Sequence, residues 1–346
     1  MINWGVIGAG GIARVFCNGL RFSKTGQLNA VASRTPGKAD GLADLFDVEK
    51  RYTSYEEILA DDEIDAVYVS TIHPAHLEPV TMAAEAGKHI LVEKPIAMNA
   101  TEAQAMIDAA RKNDVFLMEA FMYRCHPQIA KMVELIQSGA IGDVLVIRSG
   151  FGYHAPFNDS SRAYNNKLGG GGILDVGCYP ASMVRLIAGA AAGQAFLDPT
   201  ELKATGVIGP TGVDHYTAAT LKFQNDIIAE ISTAVACNIP SETVIHGSEG
   251  ILTVPNPWLP SSPCRSAKEA LPLDTIFPSS TLILQKRGAA PEEITAEADR
   301  DLFSYEADMV GEHIEARQAP VASWDDTLGN MKTLDRWLSE IGVVYR

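Results

Sequence analysis

A two-domain α/β protein is predicted, with an N-terminal doubly wound parallel sheet of the Rossmann kind and a C-terminal α+β domain built on a large, mostly antiparallel, open-faced sheet. Three observations predict it. Residues 1–120 alternate short β-branched runs with helical patterns. Beyond residue 140 the texture changes to long alternating strands. The 346 residues, 47% hydrophobic and 21% charged, are enough for two cores.

In the expected first domain, residues 1–122, the runs "NWGVIG", "LNAVAS", "DAVYVST", "HILVE" and "VFLME" read as strands between helical segments such as "PAHLEPVTMAAEAGK". Strand, helix, strand in that rhythm gives parallel pairing, because a crossover helix returns the chain to start the next strand in the same direction. The second domain, residues 123–346, opens with a helix near 126–138. It continues through "DVLVIRSGFGY", "DHYTAATLKF", "DIIAEISTAVA", "ETVIHGS" and "GILTVPN", whose alternation suits an antiparallel sheet. The Pro- and Ser-rich segment 255–274 reads as a surface loop or linker-like insertion. Two closing helices, roughly 302–317 and 323–341, are expected to pack back toward the first domain.

Charge narrows the partners. Forty-three acidic against 28 basic residues give a net charge of -15, which repels nucleic-acid backbones and anionic membranes. Five scattered cysteines without a CxxC pair fit a reducing cytoplasm. The N-terminus runs straight into a strand with no basic leader, and no apolar run reaches the ~20 residues that span a bilayer. Spacing of His, Cys and acidic residues offers no metal site.

The turn "GVIGAGGIARVF" sets Gly8, Gly10 and Ala13, with Gly11 and Ile12 between, as G-x-G-x-x-A between strand and helix. Such a turn lets backbone amides approach a pyrophosphate at a helix N-terminus. About 20 residues on, an NAD site carries an acid for the ribose 2′-hydroxyl. Here "VASRTPGK" puts Ser33 in that position, followed by Arg34 and Lys38, the groups a 2′-phosphate needs, so NADP is expected in preference to NAD.

Ligands of open parallel sheets sit beyond the carboxyl ends of the strands, so "STIHPAH" (70–76) and "VEKPIA" (92–97) should edge the same cleft. Thr71, His73, His76, Glu93 and Lys94 are therefore candidates for cofactor contact, each histidine being equally able to cap the next helix. Lys94, at the end of a buried strand between Glu93 and Pro95, is not a free surface charge. Downstream, "GGGGILDVGCYPASMV" (169–184) runs four glycines into a helix carrying Asp175 and, one turn later, Tyr179, with Cys178 read as a small buried residue. Asp175 is suited to accept a substrate hydroxyl, to orient Lys94, or to cap the helix after Gly172. Tyr153, Asp159, Arg162 and Asn165 either line the substrate pocket or are ordinary surface residues.

The Gly8-Gly10-Ala13 turn, "EKP" at 93–95 and "GGGGILDVGCYP" together resemble the glucose-fructose oxidoreductase and inositol dehydrogenase (Gfo/Idh/MocA) family over essentially the whole chain, including "YEADMVGEHIEA" and "WDDTLGNMKTLDRW". The family's commonest pattern has histidine four residues after the aspartate. Tyr179 stands there instead, and with "MEAFMYRCHPQ" it is similar to the branch holding dimeric trans-dihydrodiol dehydrogenase and NADP-dependent D-xylose dehydrogenase. That resemblance implies Lys94 and Tyr179 as the catalytic pair, a sugar or cyclic polyol as substrate, and dimers or dimers of dimers. An ammonium ~4 Å from a phenol would favour the phenolate by ~4 kcal/mol at an effective dielectric of ~20, making Tyr179 a usable base aided by Lys94. Asp175 completes the expected catalytic group, with Lys94, Tyr153, Arg162, Asp175 and Tyr179 on the substrate. Reduction of a 1,5-anhydrofructose-type sugar or oxidation of trans-dihydrodiols are alternatives in the same class. A non-catalytic NADP sensor is the rival from another class, and it would be expected to lack Lys94 or Tyr179.

Overall fold

Runs with every residue buried and runs with every second residue buried separate the two sheets of the computed structural model, which describes all 346 residues. In the first sheet β4 (Ala66–Val69) and β6 (Leu117–Ala120) are buried throughout, as strands covered on both faces must be. Around them lie β1 (Ile2–Ile7), β2 (Gly26–Ala32), the three-residue β3 (Lys50–Tyr52) and β5 (His89–Glu93). All pairs are parallel, in the order β3-β2-β1-β4-β5-β6, so the chain reverses direction across the sheet between β1 and β4. The covering helices are α1 (Gly11–Leu20), α2 (Lys38–Leu45), α3 (Tyr55–Leu59), α4 (Leu77–Glu85) and α5 (Ala100–Lys112). β3, three polar residues long, shows no alternation by which sequence could reveal it.

After α6 (Pro127–Gln137) comes β7 (Val144–His154), the central strand of a nine-stranded sheet. The run Ile173–Gly177 makes one π turn and continues into α7 (Cys178–Ala191). The apolar stretch 166–191 has the length and composition of a membrane span, but 94% of its most apolar window is buried inside the protein. The sheet continues with β8 (Glu201–Ile208), β9 (Asp214–Lys222), β10 (Ile228–Ala234), β11 (Ala236–Ile239), β12 (Thr243–Gly247), β13 (Gly250–Val254), β14 (Ser280–Lys286) and β15 (Glu292–Ala296). Only β10 against β7 is parallel. β9 buries alternate residues, Thr217, Ala219 and Leu221, against the helices and turns Tyr216, Ala218 and Thr220 outward.

That outward face is open and mixed in polarity. Exposed Val207, Tyr216 and Ile228 share it with Lys203, Thr205, Thr220 and an Arg148–Glu230 ion pair of 2.7 Å. A depression of about 770 Å³ on this face is lined by Arg148, Thr205, Ala218, Ser232, Pro240 and Val244, among others.

Two further helices, α8 (Leu302–His313) and α9 (Trp324–Ile341), return to the first sheet's helices. Ser304 donates to the Gly19 carbonyl at the end of α1 (2.7 Å), and Asp308 accepts from Ser23, Lys24 N and Thr25. Asp335 of α9 accepts from Ala100 N at the start of α5 (2.9 Å). Buried Asp326 pairs with Arg124 (2.5 Å) and Arg185 (2.7 Å), so each buried guanidinium meets a carboxylate.

The segment 255–274 is irregular and partly exposed, as expected, but part of it is buried and ties the chain back to α1. Trp258 (1% exposed) and Cys264 are buried, and Asn18 of α1 bonds Glu269 O (3.1 Å) and Leu271 N (2.8 Å). Proline and serine mark the irregular backbone correctly but say nothing of where its few apolar side chains go.

Candidate active site

The phosphate-binding turn forms as its spacing requires. Gly8 has φ +96°, and a Cβ there would lie 3.1 Å from the Ser70 backbone at the end of β4, so only glycine fits. Gly10 precedes α1 in extended conformation without a side-chain cap, which leaves the first amides of the helix unclaimed by side chains. A Cβ on Gly10 or Gly11 would meet nothing within 4 Å. Uncapped amides facing open space fit a dinucleotide pyrophosphate. Ile12 is half-buried beside them.

At the end of β2 the buried Ser33 hydroxyl accepts from Thr35 N (3.2 Å), exposed Lys38 begins α2 without an ion pair, and Arg34 is engaged by Glu78 through two hydrogen bonds of 2.8 and 3.0 Å. No acid replaces Ser33, so this end of the cleft suits a 2′-phosphorylated ribose in its residue types.

Other expected cofactor contacts are redirected by burial. His76 is fully buried, its ring nitrogens facing Ile96 O (3.0 Å) and Thr71 O (3.1 Å), so it stitches the loop after β4 to the loop after β5 and leaves no ring nitrogen for a cofactor. Thr71 donates to Ala75 O within that loop. Glu93 turns inward, where the Tyr68 hydroxyl donates to its carboxylate, and burial raises its pKa. Glu119 accepts from Ile96 N (2.9 Å) and so fixes the backbone that carries Lys94.

Lys94 projects from the end of β5 toward the start of α7. Its ammonium donates to Asp175 O at 2.6 Å, stands 3.8 Å from Asp175 Oδ1 and lies 5.0 Å from the Tyr179 ring centroid. The buried Asp175 carboxylate also accepts from Tyr153 Oη (2.5 Å) and Arg162 Nη2 (2.9 Å). Burial alone would raise its pKa, but Lys94 and Arg162 outweigh burial and hold the carboxyl well below the usual range. Buried His73 sits 3.4 Å from Arg162 Nη1, and burial drives its pKa well down. Asp159 remains exposed, and Asn165 caps its own turn by accepting from Lys167 N.

Tyr179 departs most from expectation. One π turn, Ile173–Gly177, leads into α7, and Lys94 meets both sides of it, donating to Asp175 O and lying over the Tyr179 ring. The Lys94 ammonium faces the Tyr179 ring rather than its hydroxyl, which donates to Met122 Sδ at 3.5 Å. Burial first, then Glu93, push the phenol well above its ordinary pKa, so Lys94 does not hold a phenolate here. The ring belongs to an aromatic cluster with Phe121, Tyr123, Phe151 and Trp258, centroids 5.3–5.8 Å from it. None of these four carries a motif that sequence alone singles out. Phe121 and Tyr123 lie in "MEAFMYRCHPQ", and Trp258 lies in the Pro- and Ser-rich segment.

The four glycines are crowded by the protein itself. A Cβ on Gly171 (φ +107°) would lie 2.3 Å from Asp214 Oδ1, and one on Gly169 2.9 Å from Met98 Sδ. Asp214 of β9 accepts from Ile173 N (2.9 Å), so Asp214 and not Asp175 caps this helix start. The glycines make room for that cap and for contact with the first sheet's loops.

Residues 2–121 match the model of the oxidoreductase family with an NAD-binding Rossmann fold, and residues 129–253 that of the GFO/IDH/MocA C-terminal domain. Trans-1,2-dihydrobenzene-1,2-diol dehydrogenase of Danio rerio is 39% identical over 75% of this chain and 77% of its own, and that of Xenopus laevis 34% identical over 99% and 98%. The fold is shared with a 3-ketoreductase from Actinomadura kijaniata (TM-score 0.82, 23% identity, 98% of each chain). It is shared equally with an aldose-aldose oxidoreductase from Caulobacter crescentus (TM-score 0.83, 22% identity, 98% of this chain and 97% of that one). With its uncapped glycine turn, its lysine at the end of β5 and these matches over both halves, the chain belongs to the Gfo/Idh/MocA family and is an NAD(P)-dependent oxidoreductase.

Proposed function

We propose that this enzyme transfers a hydride between NADP(H) and a carbinol carbon of a cyclic polyhydroxylated substrate, a sugar, a cyclic polyol or a trans-diol. The observation that carries the reading is the meeting of Lys94 and Asp175 with the face of Tyr179, one charged and one aromatic wall. The bound nicotinamide would accept or supply the hydride, with Gly8, Gly10, Gly11, Ser33, Arg34 and Lys38 holding the dinucleotide. Trans-diol oxidation gains weight from the names of the relatives of Danio rerio and Xenopus laevis.

Lys94, held by Asp175, donates a hydrogen bond to the substrate oxygen and stabilises negative charge there as the C–H bond forms or breaks. Tyr179 carries the proton. A thioether is a weak acceptor, so the Tyr179 hydroxyl is available to any oxygen that enters. Its raised pKa means that it arrives protonated, ready to donate to a carbonyl oxygen in the reducing direction. Tyr153 already donates its hydrogen bond to Asp175 and Arg162 neutralises the same carboxylate, so both position the charged wall. Two copies of the chain meet through the open face of the nine-stranded sheet, where Tyr216, Ile228 and Val207 stand exposed.

The test is NADPH absorbance during incubation of the protein with NADP and a panel of aldoses, inositols and trans-cyclohexanediol, with NADPH consumption on dicarbonyl sugars as the reverse arm. Turnover with one of these classes is expected. Tight NADPH binding without turnover on any of them would overturn the reading in favour of a cofactor sensor.

A further inference from the structure

In the order β3-β2-β1-β4, strands β2 and β4 flank β1, and the crevice beyond their carboxyl ends is where a doubly wound sheet takes its dinucleotide. Arg34 leaves the end of β2, and Glu78 lies in the first turn of α4, after β4. Their ion pair therefore spans the crevice from one flank to the other. It is fork to fork: Nη1 meets Oε2 at 2.8 Å and Nη2 meets Oε1 at 3.0 Å. The guanidinium face lies 3.9 Å from the Tyr55 ring centroid, and Glu56 stands 3.9 Å from Nη2. Arg34 keeps Glu78 ionised, below the usual carboxylate range.

Two parallel N–H groups of a guanidinium are the ones a phosphate takes in bidentate fashion. Here a carboxylate of the same charge sign and similar oxygen spacing holds them. Resting on the NADP reading above, we propose that Glu78 is a specificity-determining residue that occupies the Arg34 fork in place of the 2′-phosphate and must be displaced when NADP binds. Binding NADP then exchanges one anion for another on Arg34, and the gain over NAD is only the difference between them. A cofactor with a free 2′-hydroxyl leaves the Arg34–Glu78 pair closed. Glu78 thus tempers the preference for NADP that Ser33, Arg34 and Lys38 create.

Glu78→Gln, Arg34→Ala and the double variant test this, with NADPH and NADH dissociation constants from fluorescence titration and thermal unfolding as a fold control. An exposed pair of this kind accounts for about a two- to fivefold effect, so Glu78→Gln should tighten NADPH by about that factor and leave NADH little changed. Salt should weaken NADPH binding more steeply in Glu78→Gln than in wild type, because the vacated fork gains a full charge pair on binding. In the Arg34→Ala background, Glu78→Gln should change nothing. Unchanged or weaker NADPH binding in a folded Glu78→Gln protein, or the same gain with Arg34 absent, overturns the proposal while the NADP reading stands. A wild type that binds NADH as tightly as NADPH removes both.

Discussion

Tyr179→Phe separates chemistry from packing more sharply than any other change in this protein. The hydroxyl has one partner, the Met122 thioether at 3.5 Å, and leaving a thioether without a donor costs little. The phenyl ring keeps its neighbours Phe121, Tyr123, Phe151 and Trp258 and stays under the Lys94 ammonium. Stability should therefore change by no more than ~0.5 kcal/mol, a shift of ~2 °C or less in Tm. Turnover should fall by ~10²–10⁴, the usual loss for a general acid, equivalent to ~3–5 kcal/mol of transition-state stabilisation. KM and NADPH affinity should move little, because the hydroxyl acts on the proton and not on the cofactor. The assay is steady-state kcat and KM beside a thermal melt, with Lys94→Met, the double variant and Tyr153→Phe in parallel. Lys94→Met should match the Tyr179→Phe loss, and the double variant should be little worse, as for groups acting together. Near-normal turnover in a folded Tyr179→Phe enzyme with a collapse in Tyr153→Phe would refute the reasoning and make Tyr153, already bonded to Asp175, the proton carrier.

Exchanging Ser33 for Asp and Arg34 for Ala should shift preference toward NAD by ~2 kcal/mol, read as the ratio of kcat/KM values; a ratio that stays put shows that the 2′-phosphate is held elsewhere. Glu119 is buried behind the Lys94 loop, and burial raises its pKa from 4.5 to about 7. Between those values the unfolded chain has lost a proton that the folded chain keeps, so this group's contribution falls as pH rises, by ~1.4 kcal/mol per unit. Glu119→Gln should flatten that part of the pH–stability curve and stabilise the protein above pH ~7, as urea melts across the range would reveal. Light scattering at micromolar concentration should give twice the 37.1 kDa chain mass or a larger multiple, and Tyr216→Glu should lower it; a wild-type monomer would leave the open face without its proposed partner.

What local sequence could determine, it did. The G-x-G-x-x-A turn, the fully buried parallel strands and the alternating β9 and β10 depend on neighbours a few residues apart, and the period of their side chains is set by backbone geometry alone. That Lys94 is not a free surface charge was legible for a related reason: a charge at the end of a buried strand is costly unless paired, and Asp175 stands beside it.

Orientation was not legible, because it is decided by groups distant in the chain. The Tyr179 hydroxyl goes to Met122, 57 residues away in the chain, while the Lys94 ammonium faces the ring. Burial then reverses the expected pKa shift. His76 and Glu93 carry the residue types of a cofactor site but turn inward, to Ile96 and Thr71 in one case and to Tyr68 in the other. Trp258 enters the aromatic cluster from a segment whose composition says only loop. Arg34 and Glu78, 44 residues apart, meet because β2 and β4 flank β1, a fact of strand order that no local pattern contains. Sequence periodicity constrains each element against its own axis, whereas the direction of a functional group depends on how separate elements pack, and only the folded chain decides that.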